Sequence, residues 1–165
     1  MARLAHHNRR NLPMASPIKI YSLKFKFVVL SCKFFLYLAN MDKKIVMTID
    51  DSSAIRQAIR EILTEGGYFV IEARHGRAAL DYMNGKKVDL ILLDLNMPEM
   101  DGYEFLKILK SDAQYKDYLK TPIIILTTET DKKNKELAKE LGAYGWIGKP
   151  FNPISLLEIV KEHCK

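Results

Sequence analysis

Four groups of side chains in this sequence are equipped to act together. They are the adjacent carboxylates Asp50 and Asp51, the carboxylate Asp94 with Asn96 two residues on, the hydroxyls Thr127 and Thr128, and the amine Lys149 followed by Pro150. Three carboxylates drawn into one place repel each other, and their pKa values rise unless a cation joins them. Hard carboxylate oxygens with room left for water suit Mg²⁺, which takes a few protein oxygens and commonly a phosphate. A carboxylate can also attack phosphorus and form an acyl phosphate. That chemistry asks the protein mainly to position the donor and to neutralise charge on the equatorial oxygens. A metal on one side and Lys149 on the other would meet both demands.

Whether these groups meet depends on the elements that carry them. Ile45–Ile49 is a short apolar, β-branched run that reads as a buried strand. Ile55, Ile59, Ile62 and Leu63 then recur at helical spacing to about Glu65, where Gly66 and Gly67 stop the helix. Strands follow at 68–71, 88–93, 122–126 and 142–147, and helices at 78–83, 103–110 and 132–141. Asn84 and Gly85 end the second helix, residues 96–102 form a turn-rich loop, and Pro153 suits the first turn of a last helix carrying Ile154, Leu157, Val160 and Cys164. Five apolar strands alternating with five helices predict an α/β, doubly wound, five-stranded parallel sheet covered on both faces. Such folds place their sites outside the carboxyl ends of the strands. Asp50 and Asp51 follow the first strand, Asp94 the third, Thr127 the fourth and Lys149 the fifth, so one sheet edge would gather them all.

Each residue alone has an ordinary explanation. Asp50, Asp51, Ser52 or Ser53 could simply cap the first helix. Asp94 could open a turn, Thr127 could cap a helix, and Lys149 could be a surface lysine. Their joint placement at four strand ends favours the functional reading.

With these residues in hand, the segment 41–165 resembles the receiver domain of bacterial two-component response regulators. The pair Asp50-Asp51, the run from Asp94 through Asn96-Met97-Pro98 and Met100-Asp101-Gly102, Thr127, and Lys149-Pro150-Phe151 stand in that family's order. The resemblance implies a flavodoxin-like (βα)5 fold with Asp94 as phospho-acceptor and a sensor histidine kinase's phosphohistidine as donor. It implies Mg²⁺ held by Asp51, Asp94 and the Asn96 backbone carbonyl, with Asp50 near the ion or joined to it through water. Lys149 would contact the phosphoryl oxygens and Thr127 would move to hydrogen-bond them. A cis Lys149–Pro150 bond is also implied. Trp146 occupies the family's switch-aromatic position, where tyrosine or phenylalanine is commoner. A plain packing role is the alternative, and a buried indole N–H would want a partner. Asn96 and Glu129 match the chemotaxis (CheY-like) receivers at positions that influence hydrolysis of the phosphoryl group. The chain ends one helix after the lysine, so no output domain is expected. A monomer acting on a downstream protein is expected, either a flagellar motor switch or a phosphotransfer protein.

Composition agrees with this reading. The whole chain carries a formal +6, yet residues 1–40 hold seven basic residues and no acid, which leaves −1 on the remainder. A near-neutral domain has no electrostatic footprint for nucleic acid. Cys32 and Cys164 form no metal-ligand spacing and suit a reducing, cytoplasmic setting. Residues 1–40 read as a basic, then apolar extension outside the fold, with Met41 a natural beginning. Lys24, Lys26 and Lys33 interrupt its apolar stretch, so stable membrane insertion is not expected. A membrane-surface segment and a cleaved targeting peptide are the other two readings. His6, His7, His75 and His163 are expected to lie away from the strand ends, with no part in phosphotransfer.

Three functions compete. A signalling switch that accepts phosphate, rather than a turnover enzyme, fits best, and a phosphorelay intermediate is its near variant. A metal-dependent phosphohydrolase would need a second aspartate two residues after Asp94, where Asn96 stands, and a substrate cap. A phosphate-independent interaction module would be expected to lack Asp94 or Lys149.

Overall fold

Alternation within the strands sets the architecture. A computed structural model describes residues 43–128 and 132–164; the segment 1–40 and Glu129 lie outside the described residues. The strands are β1 (Ile45–Ile49), β2 (Phe69–Ala73), β3 (Leu90–Leu93), β4 (Ile123–Thr127) and β5 (Gly145–Gly148). Between and after them run α1 (Ser53–Glu65), α2 (Gly76–Met83), α3 (Gly102–Ser111), α4 (Lys132–Glu140) and α5 (Pro153–His163). A short 3-10 helix, Ala113–Tyr118, joins α3 to β4.

The sheet is parallel throughout, in the order β2-β1-β3-β4-β5. Successive strand residues point to opposite faces. Val46, Leu90, Leu92, Ile124, Leu126 and Ile147 therefore share one apolar layer with Ile59 and Leu63 of α1 and Leu156 and Val160 of α5. Met47, Ile49, Ile91, Leu93, Ile123 and Ile125 share the other with α2, α3 and Ala138 of α4. Burying an aliphatic side chain of this size contributes about 1.5–3 kcal/mol, so the two layers dominate the fold's stability. The order places β3 at the centre, and the chain leaves β1 through α1 for β2 on one side but leaves β3 through α3 for β4 on the other. That divergence opens the crevice in which doubly wound sheets hold their sites.

Several boundaries differ from the sequence expectation for local reasons. β5 starts at Gly145 rather than 142, because Gly142 adopts φ +96 and its N–H bonds Lys139 O at 2.9 Å. Glycine tolerates that left-handed turn, which ends α4. β3 starts at Leu90 because Val88 and Asp89 serve the opposite edge of the sheet. There Asp89 Oδ2 accepts the Ile45 N–H at 2.8 Å, and Lys87 and Lys44 approach Oδ1 at 2.9 and 3.8 Å. The Cys164 thiol sits nearby, and burial, with the Asp89 charge adding, pushes its pKa up to about 11. It is a packed thiol rather than a nucleophile.

Asp89 gives a first expected result. Burial raises its pKa, but the Ile45 N–H and the lysines outweigh burial and leave it below the ordinary carboxylate value. A carboxyl depressed on folding stabilises the protein above its unfolded pKa and loses that contribution as pH falls through the folded value. Lys87 is largely solvent-exposed, which discounts the ion pair. Asp89→Asn should therefore lower stability by about 1 kcal/mol at pH 7 and by less at pH 2.5. Urea unfolding at the two pH values reads the difference, and an equal loss at both would contradict it.

Candidate functional site

The sheet's hydrogen-bond ladder continues one residue past three of the strands and fixes how the chemistry-bearing residues leave it. Asp50 N donates to Ala73 O at 3.1 Å, Asp94 N to Ile49 O at 2.8 Å, and Lys149 N to Thr127 O at 2.9 Å. The backbones of Asp50, Asp94 and Lys149 are thus part of the rigid sheet edge even though their side chains are free of it. Ser52 caps α1 by accepting the Ile55 N–H on Oγ at 3.4 Å. Capping therefore does not consume Asp50 or Asp51.

Four predicted residues converge. Lys149 Nζ donates to Asp50 Oδ2 at 2.5 Å and to Asp94 Oδ2 at 2.7 Å. Asp50 Oδ1 accepts the Ser52 N–H at 2.9 Å, and Asp94 Oδ1 accepts the Asn96 N–H at 3.3 Å. Carboxylate oxygens of Asp50, Asp51 and Asp94 all lie within 4.8 Å of one another. Asp50 and Asp94 are buried, whereas Asp51 faces solvent. Burial pushes the Asp50 carboxyl above its ordinary value, although Lys149 pulls against it. Burial also acts to lower Lys149, but its bonds to Asp50 and Asp94 prevail and hold the ammonium above its usual range.

The arrangement is short of positive charge. Three carboxylates against one ammonium leave a formal −2, in a pocket where desolvation already strains one acid. A divalent cation would restore balance, and the donor set is all hard oxygen with an open, solvent-facing side at Asp51. The residues present thus fit Mg²⁺.

The remaining predicted residues stand near this centre with differing roles. Thr127 ends β4, fully buried, with Gly148 as its register partner on β5. Asn96 lies in the loop beyond Asp94, its side chain exposed. Lys149–Pro150 is a cis peptide bond, as the family resemblance implied. Trp146 lies on β5 opposite Ile125, partly buried, with the Lys135 ammonium 5.4 Å from its ring centroid. Its buried Nε1–H has no hydrogen-bond acceptor among the described residues. His163 closes α5, and Glu129, His6 and His7 lie outside the described residues.

One sequence expectation needs correction. His75 does not lie away from the strand ends: β2 runs to Ala73, two residues past its expected end, so His75 caps α2 at the same sheet edge. The extra pairing of Glu72 and Ala73 with Thr48 and Ile49 carries the strand on.

Two contributors escaped the sequence reading. Arg56 Nη1 donates to Asp50 O at 2.7 Å and Asp51 O at 3.1 Å, gripping the backbone of the acidic pair from the first turns of α1. A cation is disfavoured near a helix N-terminus, so its placement there was the available signal. Gly102 is the other. A Cβ there would lie 2.4 Å from Asp94 O and 2.8 Å from Leu95 Cα, so only glycine lets α3 start against the acceptor's own backbone.

The chain is similar to known proteins. A family profile described as "Response regulator receiver domain" matches residues 46–161. The "Chemotaxis protein CheY homolog" of Campylobacter jejuni is 37% identical over 119 residues, covering 71% of this chain and 89% of that protein. "Chemotaxis protein CheY1" of Helicobacter pylori is 37% identical over 115 residues, covering 68% and 90%. Among solved structures, the Vibrio cholerae chemotaxis protein CheY4 superposes with a TM-score of 0.67 at 42% identity, covering 73% of this chain and 98% of that one.

Proposed function

The chain belongs to the response regulator receiver family, and from that premise we propose that it is a Mg²⁺-dependent switch that accepts a phosphoryl group on Asp94. One observation carries the reading: the half-buried Lys149 ammonium bridges Asp50 and Asp94 while a third carboxylate lies within 4.8 Å. That set can bind a cation, offer a nucleophile and neutralise phosphoryl oxygens at a single point.

Asp51, Asp94 and the Asn96 carbonyl would hold the metal, with Asp50 close by or bridged through water. When bound, Mg²⁺ supplies positive charge to the phosphoryl oxygens. Lys149 supplies it from the other side, and its backbone bond to Thr127, the last residue of β4, fixes where it stands. A lone pair on an Asp94 Oδ forms the new O–P bond as the donor's P–N bond breaks, the electron pair remaining on the imidazole nitrogen. Thr127 then hydrogen-bonds the phosphoryl group, and Trp146, on the neighbouring strand, repacks with it. This biases two packed states of the α4–β5–α5 side and so changes which partner binds.

The donor class is the phosphohistidine of a sensor histidine kinase, which points to a cytoplasmic setting. The partner is a protein target in chemotaxis-type signalling, a direction supported by similarity to chemotaxis proteins over nearly their whole length. Asn96 and Glu129 tune the lifetime of the phosphoryl group. Residues 1–40 stand outside the switch, which works as a monomer. No helix among the described residues is long and apolar enough to cross a membrane.

Incubation of the full chain with acetyl phosphate tests the proposal by intact-mass spectrometry. A mass gain of one phosphoryl group that needs Mg²⁺ and disappears with a chelator is expected. Absence of any adduct under saturating Mg²⁺ would leave the phosphate-independent interaction module as the better account.

A further inference from the structure

The proposed acceptor site leaves one buried titratable side chain unused, and it faces the loop that carries Asn96. His75 is 6% exposed and caps α2 through its ring: Nδ1 accepts the Ala78 N–H at 3.1 Å. Glu99 Oε2 lies 3.0 Å from His75 Nε2. The Arg74 Nε–H donates to the same His75 Nε2 at 3.3 Å.

Glu99 is the only non-glycine among the described residues with positive φ, at +68. Such a backbone persists when surrounding contacts over-determine it. Here they do. Gly76 N donates to Met100 O at 3.2 Å, and Met100 packs so close to Gly76 that a Cβ there would meet its side chain at 2.7 Å. Met100 N donates to Pro98 O at 2.8 Å, and Gly102 N to Leu95 O at 3.0 Å. Loop 95–101 is thus clamped at its far end on the acceptor backbone and in its middle on the start of α2.

We propose that His75 is a positioning residue: its ring, in contact with Glu99, holds the strained acceptor loop in the form that presents Asn96 and Asp94 for Mg²⁺. The proposal rests on the metal-assisted reading of the site above. Outer contacts that orient metal ligands commonly control affinity. The competing account is that His75 merely caps α2.

Magnesium titration of the full chain by calorimetry separates the two, using wild type, His75→Asn, Glu99→Ala and the double variant. Asparagine is among the best helix caps, so His75→Asn keeps the cap and loses the ring's reach to Glu99 and Arg74. Glu99 is solvent-facing, so Glu99→Ala keeps the fold. Each single change should raise the Mg²⁺ Kd about 5- to 10-fold, and the double no further than the larger single. The maximal rate of adduct formation from acetyl phosphate at saturating Mg²⁺ should stay at the wild-type value. An unchanged Kd in Glu99→Ala, or effects that multiply in the double variant, would overturn the pairing. A wild type that takes up no Mg²⁺ would overturn the metal-assisted reading and this proposal together, whereas wild-type binding with unaffected variants overturns only this one.

Discussion

Asp94→Asn is expected to form no Mg²⁺-dependent phosphate adduct, a complete loss rather than a slowing. The amide keeps the side chain's shape but has no lone pair nucleophilic enough to attack phosphorus. Neither neighbour replaces it. Asp50 is almost wholly buried, and its two oxygens are taken by the Ser52 N–H and by Lys149. Asp51 faces solvent without the Lys149 contact that Asp94 has. Removing one of three crowded carboxylates also relieves repulsion, so the variant should fold at least as well as wild type. Intact-mass spectrometry after acetyl phosphate and Mg²⁺ decides the matter. A persistent adduct on the variant would assign the acceptor elsewhere.

Lys149→Ala should slow adduct formation about 100-fold or more, the range seen when one preorganised charge-stabilising donor is removed from a phosphoryl- or acyl-transfer site. The same substitution should behave differently towards metal. Losing the ammonium takes the pocket from a formal −2 to −3, so Mg²⁺ binding should hold or tighten while transfer fails. Stability adds a second reading. Lys149, Asp50 and Asp94 side chains are 11%, 2% and 9% exposed, so the substitution leaves two desolvated carboxylates without a counter-ion. Breaking a buried pair from one side commonly costs about 3–5 kcal/mol. In chelator the variant should therefore unfold at clearly lower temperature, and Mg²⁺ should restore much of the loss. Wild-type transfer rates in Lys149→Ala would remove the lysine from the mechanism, and a stability loss indifferent to Mg²⁺ would show that the cation does not share its site.

Much of this could be read from the chain because the fold's logic is local and repetitive. Ile45–Ile49 and the apolar run ending at Leu93 can only be strands covered on both faces, and the residue after each strand is then forced to one edge. Asp50, Asp94, Thr127 and Lys149 were legible for that reason. Edges of elements were less so. β2 continues to Ala73 because Thr48 and Ile49 on β1 pair with Glu72 and Ala73, which no property of residues 69–73 reveals. That two-residue extension is also what carries His75 to the site's edge, and its cap on α2 follows from geometry rather than from histidine's modest preference for the position.

The sequence alone determined the alternation of strand and helix, the parallel sheet and the set of chemical groups at its carboxyl edge, because periodicity and residue type are properties of neighbours along the chain. Tertiary structure decided which groups touch. Lys149 meets Asp94 and Asp50 across 55 and 99 residues of sequence. The approach of Glu99 to His75 belongs to the same class. Contacts of that separation carry no local signature; they exist only once the sheet order β2-β1-β3-β4-β5 has set the strands side by side.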